Sequence, residues 1–281
     1  MTLDKHLARC AQECRQLDAD RWSLALTNGH LLTVSARHDE GFLLLDADTG
    51  VRPAEERLSA LAGCALTSAV KFAMRRPWPA VRLRAEFPLP EESGAAGERI
   101  REHLDGMRSA LDELHARIPG EDAAEQPGAV SAIPDNLTEL LKDAGWVYHE
   151  RPGGALLVDL ETGSRFLQAE IGGCGAGVQF RVTLYRNNAA GTDAGRSLCL
   201  YLLEANAALR YARAFLRRER EVLAAGFEVR VEGAPSAAEA GHALAALSVA
   251  GLQCAREMEA LLDGAVAGIY RSARPALIHN V

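Results

Sequence analysis

Apolar residues recur at Leu3, Leu7, Cys10, Cys14 and Leu17, in steps of four, three, four and three. That spacing lays one apolar stripe along a cylinder and predicts a helix over 3–17. The pattern then changes. Trp22–Leu26 and Leu31–Ala36 are extended apolar runs separated by Thr27-Asn28-Gly29-His30. Asn-Gly between two such runs predicts a hairpin, because both central residues of its tight turn need positive φ. Further strands are predicted at Phe42–Asp46, Ser68–Met74 and Val81–Phe87, with a short helix at Leu58–Leu66. Ile100, Leu104, Met107, Leu111, Leu114 and Ile118 return to helical spacing and predict a long closing helix.

The second half repeats this order. A helix is predicted at Leu137–Ala144, ending at Gly145. Arg151-Pro152-Gly153-Gly154 takes the place of the Asn-Gly turn, and a strand follows at Phe166–Ile171. In Val178–Tyr185, Phe180, Val182 and Leu184 alternate with Gln179, Arg181 and Thr183, as a half-buried strand requires. A helix at Ser197–Ala208 and strands at Leu209–Leu216 and Val222–Val231 come next. One continuous helix from Ser197 to Arg218 also suits the apolar spacing. Helix then hairpin is preferred, because Pro77 and Pro79 bar a continuous helix at the corresponding point of the first half. The last helix carries Leu244, Leu247, Gly251, Cys254, Met258 and Leu261 on one face. Pro235-Ser236-Ala237-Ala238-Glu239 before it reads as a capping box, and Gly264 as its stop.

Self-similarity supports a duplication. At a shift of 124, Leu17–Leu43 aligns with Leu141–Leu167 with seven identities in 27 positions: Leu17, Trp22, Gly29, Leu32, Val34, Phe42 and Leu43 meet their counterparts. Chance gives about two. At a shift of 142, Leu61 meets Leu203, Lys71 meets Arg213, Met74 meets Leu216, and Arg75-Arg76 meet Arg217-Arg218. The rise from 124 to 142 predicts 18 extra residues and one added strand in the second copy, around Glu170–Arg196. The expected fold is therefore α+β: two tandem copies of an antiparallel sheet with helices on one face, each ordered α-β-β-β-α-β-β-α, forming an intrachain pseudo-dimer. The expected divisions are residues 1–120, a Pro- and acid-rich linker at 121–134, the second copy at 135–264, and a tail at 265–281.

Composition narrows the function. Among 281 residues, 31 Lys+Arg face 38 Asp+Glu, a net charge of -7. Residues 1–128 hold 16 and 21 of these and the remainder 15 and 17, so both halves are acidic, at -5 and -2. An acidic surface repels phosphate, and aromatics at 5% make a poor base-stacking platform, so nucleic acid is not expected. No apolar run is long enough to cross a bilayer, residues 1–20 lack a signal-peptide core, and six irregularly spaced cysteines fit a reducing cytosol. A cytoplasmic location is expected.

Reactive chemistry is hard to assemble from these residues. His6, Cys10 and Cys14 at helical spacing suit one metal ion, but both cysteines share the apolar stripe of Leu3, Leu7 and Leu17, where Cys packs as a small hydrophobe. Gly172-Gly173-Cys174-Gly175-Ala176-Gly177 lacks a following Lys-Ser/Thr and precedes a strand, so it reads as a hairpin loop. His38-Asp39-Glu40 reads as a strand turn. No catalytic residue, metal ligand or cofactor is expected. The candidate partner-binding residues are Leu24, Leu26, Leu32, Val34, Phe42 and Leu44, with the basic spots Arg75-Arg76 and Arg217-Arg218. The first group suits β-augmentation by an extended peptide, or simply the core under the helices. The second suits an acidic partner, or a charged turn.

Trp146, Leu156-Leu157-Val158, the run Leu202-Leu203-Glu204-Ala205-Asn206-Ala207-Ala208-Leu209, the strand Val222–Val231 and the cap at Pro235–Glu239 together resemble the type III secretion chaperone-like fold. Within that fold they resemble the YbjN-type sensory-regulator domains. The first copy departs from the pattern, with Cys64 where the second has Asn206. The resemblance implies small, acidic, dimeric proteins that hold a partner polypeptide without catalysis. A tandem copy is then a dimer fused into one chain, acting as a monomer and free to dimerise further. A small-ligand sensor, with its site between the halves, is the alternative.

Overall fold

The computed structural model describes residues 2–27, 31–53, 58–62, 70–74, 80–90, 93–117, 130–131, 133–134, 136–152, 154–162, 165–175, 177–187, 193–219 and 222–270. The Asn28–His30 turn, Cys64, Arg75, Arg76, Pro77 and Pro79, Ile118, most of the predicted linker, and residues 271–281 of the predicted tail lie outside the described residues. The chain divides into two compact units. One comprises Met1–Arg57 with Leu66–Ala123, and the other Leu58–Ala65 with Ala124–Val281.

The first unit opens with α1 (Leu3–Cys10), β1 (Glu13–Asp18), β2 (Arg21–Thr27), β3 (Leu31–Asp39) and β4 (Phe42–Asp48). The chain then leaves this unit for α2 (Leu58–Ala62) and returns for β5 (Lys71–Met74), β6 (Val81–Pro88) and α3 (Ser93–Arg117). Its sheet runs β1-β2-β3-β4-β6-β5 and every pair is antiparallel. Alternation sends Leu24 and Leu26 of β2, Leu32 and Val34 of β3, and Leu43 and Leu45 of β4 to one buried face. Ile100, Leu104, Met107, Leu111 and Leu114 of α3 are buried as their spacing requires. The β3–β4 hairpin turns on Glu40 (φ 50°) and Gly41 (φ 81°), so His38-Asp39-Glu40 does belong to a strand turn.

Two expectations need correction here. The predicted helix over 3–17 stops at Cys10, and Glu13–Asp18 is an edge strand paired to β2. A helix continuing to Leu17 would bury that residue, whereas Leu17 is 56% exposed. Cys10 and Cys14 therefore lie on different elements, and Trp22 Nε1 donates to Asp4 Oδ1 (2.7 Å) to tie β2 back to α1. The first unit consequently has four strands before the chain reaches α2, not three.

In the second unit come β7 (Val130–Ser131), α4 (Leu137–Asp143), β8 (Tyr148–Glu150), β9 (Leu156–Thr162), β10 (Arg165–Cys174) and β11 (Gly177–Asn187). They are followed by α5 (Asp193–Ala208), β12 (Arg213–Glu219), β13 (Val222–Glu232) and α6 (Ala237–Ala260). The sheet runs β12-β13-β11-β10-β9-β8, with β7 added on β10. Read backwards, this is the strand order of the first unit. Phe180, Val182, Phe227 and Val229 form the floor of a core roofed by Leu244, Leu247, Cys254 and Met258 of α6. The capping box forms, with Glu239 N–H donating to Ser236 Oγ and Ser236 N–H to Glu239 Oε2. Gly264 does not end the helical region, because 264–270 is again helical.

Matching strand orders re-set the internal alignment. β2 corresponds to β9, β3 to β10 and β4 to β11. The shift of 124 instead set Leu32 and Val34 of β3 against Leu156 and Val158 of β9, one strand out of step. Trp22 sits on β2 and is buried, whereas Trp146 precedes β8 and is half-buried, so the two are not equivalent. The inferred extra strand was β11, whose counterpart is β4. The shift of 142 does align α2 with α5 and β5 with β12.

Candidate functional site

The middle of α5, Leu198 to Leu203, is buried all round. Leu198, Cys199, Leu200, Tyr201, Leu202 and Leu203 are all buried, so this helix needs neighbours all round. Hydrogen bonds fix three of its surroundings. Tyr201 Oη donates to Glu257 Oε2 on α6 (2.5 Å). Ser197 Oγ donates to the Ala267 carbonyl (3.0 Å), and Tyr270 Oη donates to Glu204 Oε2 (2.5 Å), with the Tyr201 and Tyr270 rings edge to face. At its C-terminal end, Asn206 Oδ1 accepts from the Ala214 N–H of β12 (2.6 Å). The chain turns there through Tyr211, at φ 58°.

The remaining neighbour comes from far along the chain. α2 packs on α5 and on β12 within the second unit. It presents Leu58, Leu61 and Ala62, each less than 8% exposed, at i, i+3 and i+4 on one face. Unit 2 thus holds a short segment by its buried apolar side chains, in a seat formed by α5 and β12. Sequence reading placed α2 in the first copy and missed this seat. Its signal was present: a helix without a polar side, running from Leu198 to Leu203, has to be covered by more than a sheet edge.

Cys199 and Tyr201 of α5 and Cys254 of α6 are held neutral. Burial pushes the Cys199 thiol up to about 12 and raises Tyr201, whose bonds to Cys254 and Glu257 add to the effect. Burial likewise raises Cys254. Neutral thiols and phenols are poor nucleophiles at physiological pH. Among the described residues, no three His, Cys, Asp or Glu gather as metal ligands.

The opposite face of the second sheet carries a buried ionic cluster. Arg213 of β12 donates from Nε (2.8 Å) and Nη2 (2.5 Å) to Glu228 Oε1 on β13. Arg181 of β11 donates from Nε (3.3 Å) and Nη2 (3.0 Å) to Glu228 Oε2, and Gln179 donates to the same oxygen. Arg230 Nε lies 3.4 Å from Oε1. Burial opposes the charge on Glu228, but Arg213, Arg230 and Arg181 outweigh it and hold the carboxyl at about 2. The Arg181 guanidinium also stacks over the Phe215 ring at 4.6 Å. Adjacent to it, a Cβ on Gly226 would fall 2.0 Å from the Val182 carbonyl oxygen, so only glycine lets β13 approach the bulge of β11. Paired and buried, this cluster clamps three strands together.

The sequence-derived candidates scatter. Leu24, Leu26, Leu32 and Val34 are each no more than 3% exposed, on one face of the sheet, and α3 packs on β2. A groove residue must be reachable, so these four belong to the core. Phe42 and Leu44 point to the other face of the sheet and are half-buried. Arg217 is half-buried on β12, and Arg218 follows it on the same strand. Arg75 and Arg76 lie outside the described residues. No exposed groove joins the candidates described here.

Residues 134–260 match the YbjN family model. That family is described as "Putative bacterial sensory transduction regulator". The matched span runs from just before α4 to the end of α6, and so takes in α5, β12 and the ionic cluster. No curated protein and no solved structure matches the chain. Among the described residues, no helix is long and apolar enough to cross a membrane.

Proposed function

We propose that this protein is a non-catalytic regulatory module that acts by holding a polypeptide segment, in the manner of secretion-chaperone-like proteins. The observation that carries the reading is the seat on α5 and β12, which lies inside the YbjN-matched span and holds a segment from the other half of the chain. The shared strand order of the two sheets supports an origin by duplication, each copy descending from one polypeptide-binding unit. Location in the cytoplasm, and action without cofactor, belong to the same reading.

Small-ligand sensing is the second reading, and the word "sensory" in the matched family's description favours it. One pair of assays separates the two. The full chain is probed against an array of 15-residue peptides from cytosolic proteins, and its thermal midpoint is measured across a metabolite panel. Polypeptide holding predicts a discrete set of bound peptides and a midpoint that metabolites leave unchanged. An empty array together with a dose-dependent shift from one metabolite would transfer the case to sensing.

A further inference from the structure

We infer that α2 is a displaceable plug, and that the seat it fills on α5 and β12 accepts a partner's amphipathic helix carrying leucines at i and i+3 and a small residue at i+4. The inference deepens the polypeptide-holding reading and rests on it.

The resident segment defines the partner's chemistry. Among the described α2 side chains, Leu58, Leu61 and Ala62 are buried, so a competing helix needs that spacing to fill the same space. The seat also sets the polarity of the contact. Leu58 and Leu61 are each 3% exposed in that seat, so a partner with a charged residue at i or i+3 would bury an unpaired charge and is rejected.

The hold on α2 is of a kind that can be exchanged. A helix of five residues has little stability of its own and stays folded only while docked. By contrast, α5 is bolted to α6, to 264–270 and to β12 by side-chain hydrogen bonds. Displacement therefore removes α2 and leaves the seat standing. The chain around α2 suits such release. Thr49 N–H donates to the Val81 carbonyl and Val81 N–H to the Val51 carbonyl, which pins the chain just before its excursion. Val70, buried in the first unit, marks its return. Undocking of α2 thus leaves both anchors in place.

The probe is a fluorescein-labelled peptide of residues 54–66 with Cys64→Ser, titrated by anisotropy against full-length protein, with a scrambled peptide as control. The chain bearing Leu58→Asp and Leu61→Asp should bind the peptide saturably. Wild type, with its seat filled, should bind at least tenfold more weakly, and the scrambled peptide should bind neither. A folded variant that fails to bind, or equal binding by variant and wild type, would overturn the inference. Should the double variant not fold, amide exchange on wild type decides: residues 58–62 must exchange much faster than α5, and equal protection would refute a removable plug. Peptide binding at the seat combined with an empty peptide array would sink the polypeptide-holding reading while sparing the seat. Array hits without peptide binding would do the reverse.

Discussion

Glu228 shows how much one side chain decides. Three guanidinium groups surround its carboxylate on a face where Arg213 and Glu228 are almost fully buried. Removing the shared anion leaves buried cations facing one another, the costly half of a buried ion pair. Glu228→Gln should therefore lower stability by about 3 kcal/mol or more, read as a drop in the urea midpoint. Sequence inspection had no way to see this cluster. Gln179 and Arg181 read there as the polar side of an alternating strand, Arg213, Glu228 and Arg230 carried no signal, and only the strand register of β12, β13 and β11 brings the five together. The apolar residues were easier. Leu104, Met107, Leu244 and Leu247 are buried as their spacing demanded, because burial of one helix face is a local property of sequence.

At the scale of elements, local signals with a definite mechanism were legible. The capping box at Ser236 and Glu239 formed, and the helix-then-hairpin choice at α5, β12 and β13 held. Ser236→Ala should cost about 1 kcal/mol, visible as a lower thermal midpoint, since it orphans the Glu239 N–H. Signals that depend on distant pairing were misread. The residues of β1 keep helical spacing through Cys14 and Leu17, yet β2 offers an open edge, and pairing with it overrides the local pattern. That single misreading put the comparison of the two sheets one strand out and assigned the second unit an extra strand, β11, that matches β4 in strand order. The seat of α2 was half legible: the apolar run Leu198–Leu203 called for a cover, but the five residues of α2 carry no mark of the unit they join.

The two units should respond differently to acid. In the first, burial holds His103 at about 4, stacked on Phe87 with its Nδ1 2.8 Å from the Arg99 carbonyl. The unfolded chain takes up that proton near 6.5, so the contribution is full above 6.5 and is lost as pH falls toward 4. It amounts to about 3 kcal/mol. In the second unit, Glu228 is held at about 2 against an ordinary value of 4.5, so its contribution persists down to 4.5 and fades only below that. Lowering the pH from 7 to 5 should therefore weaken the first unit while sparing the clamp of the second. Urea melts of a Trp78→Phe, Trp146→Phe chain, followed by the fluorescence of the remaining Trp22, should show a lower midpoint at pH 5, and His103→Leu should flatten that dependence. An unchanged midpoint would place the acid sensitivity elsewhere.

Holding a segment at α5 and β12 is the claim on which the functional account stands. Amide exchange of the full chain, with and without a saturating peptide chosen from the array, tests it most directly. The account predicts slower exchange in α5 and β12 on binding, together with faster exchange over residues 58–62 as the resident helix gives way. Protection confined to other elements, with 58–62 unchanged, would contradict it.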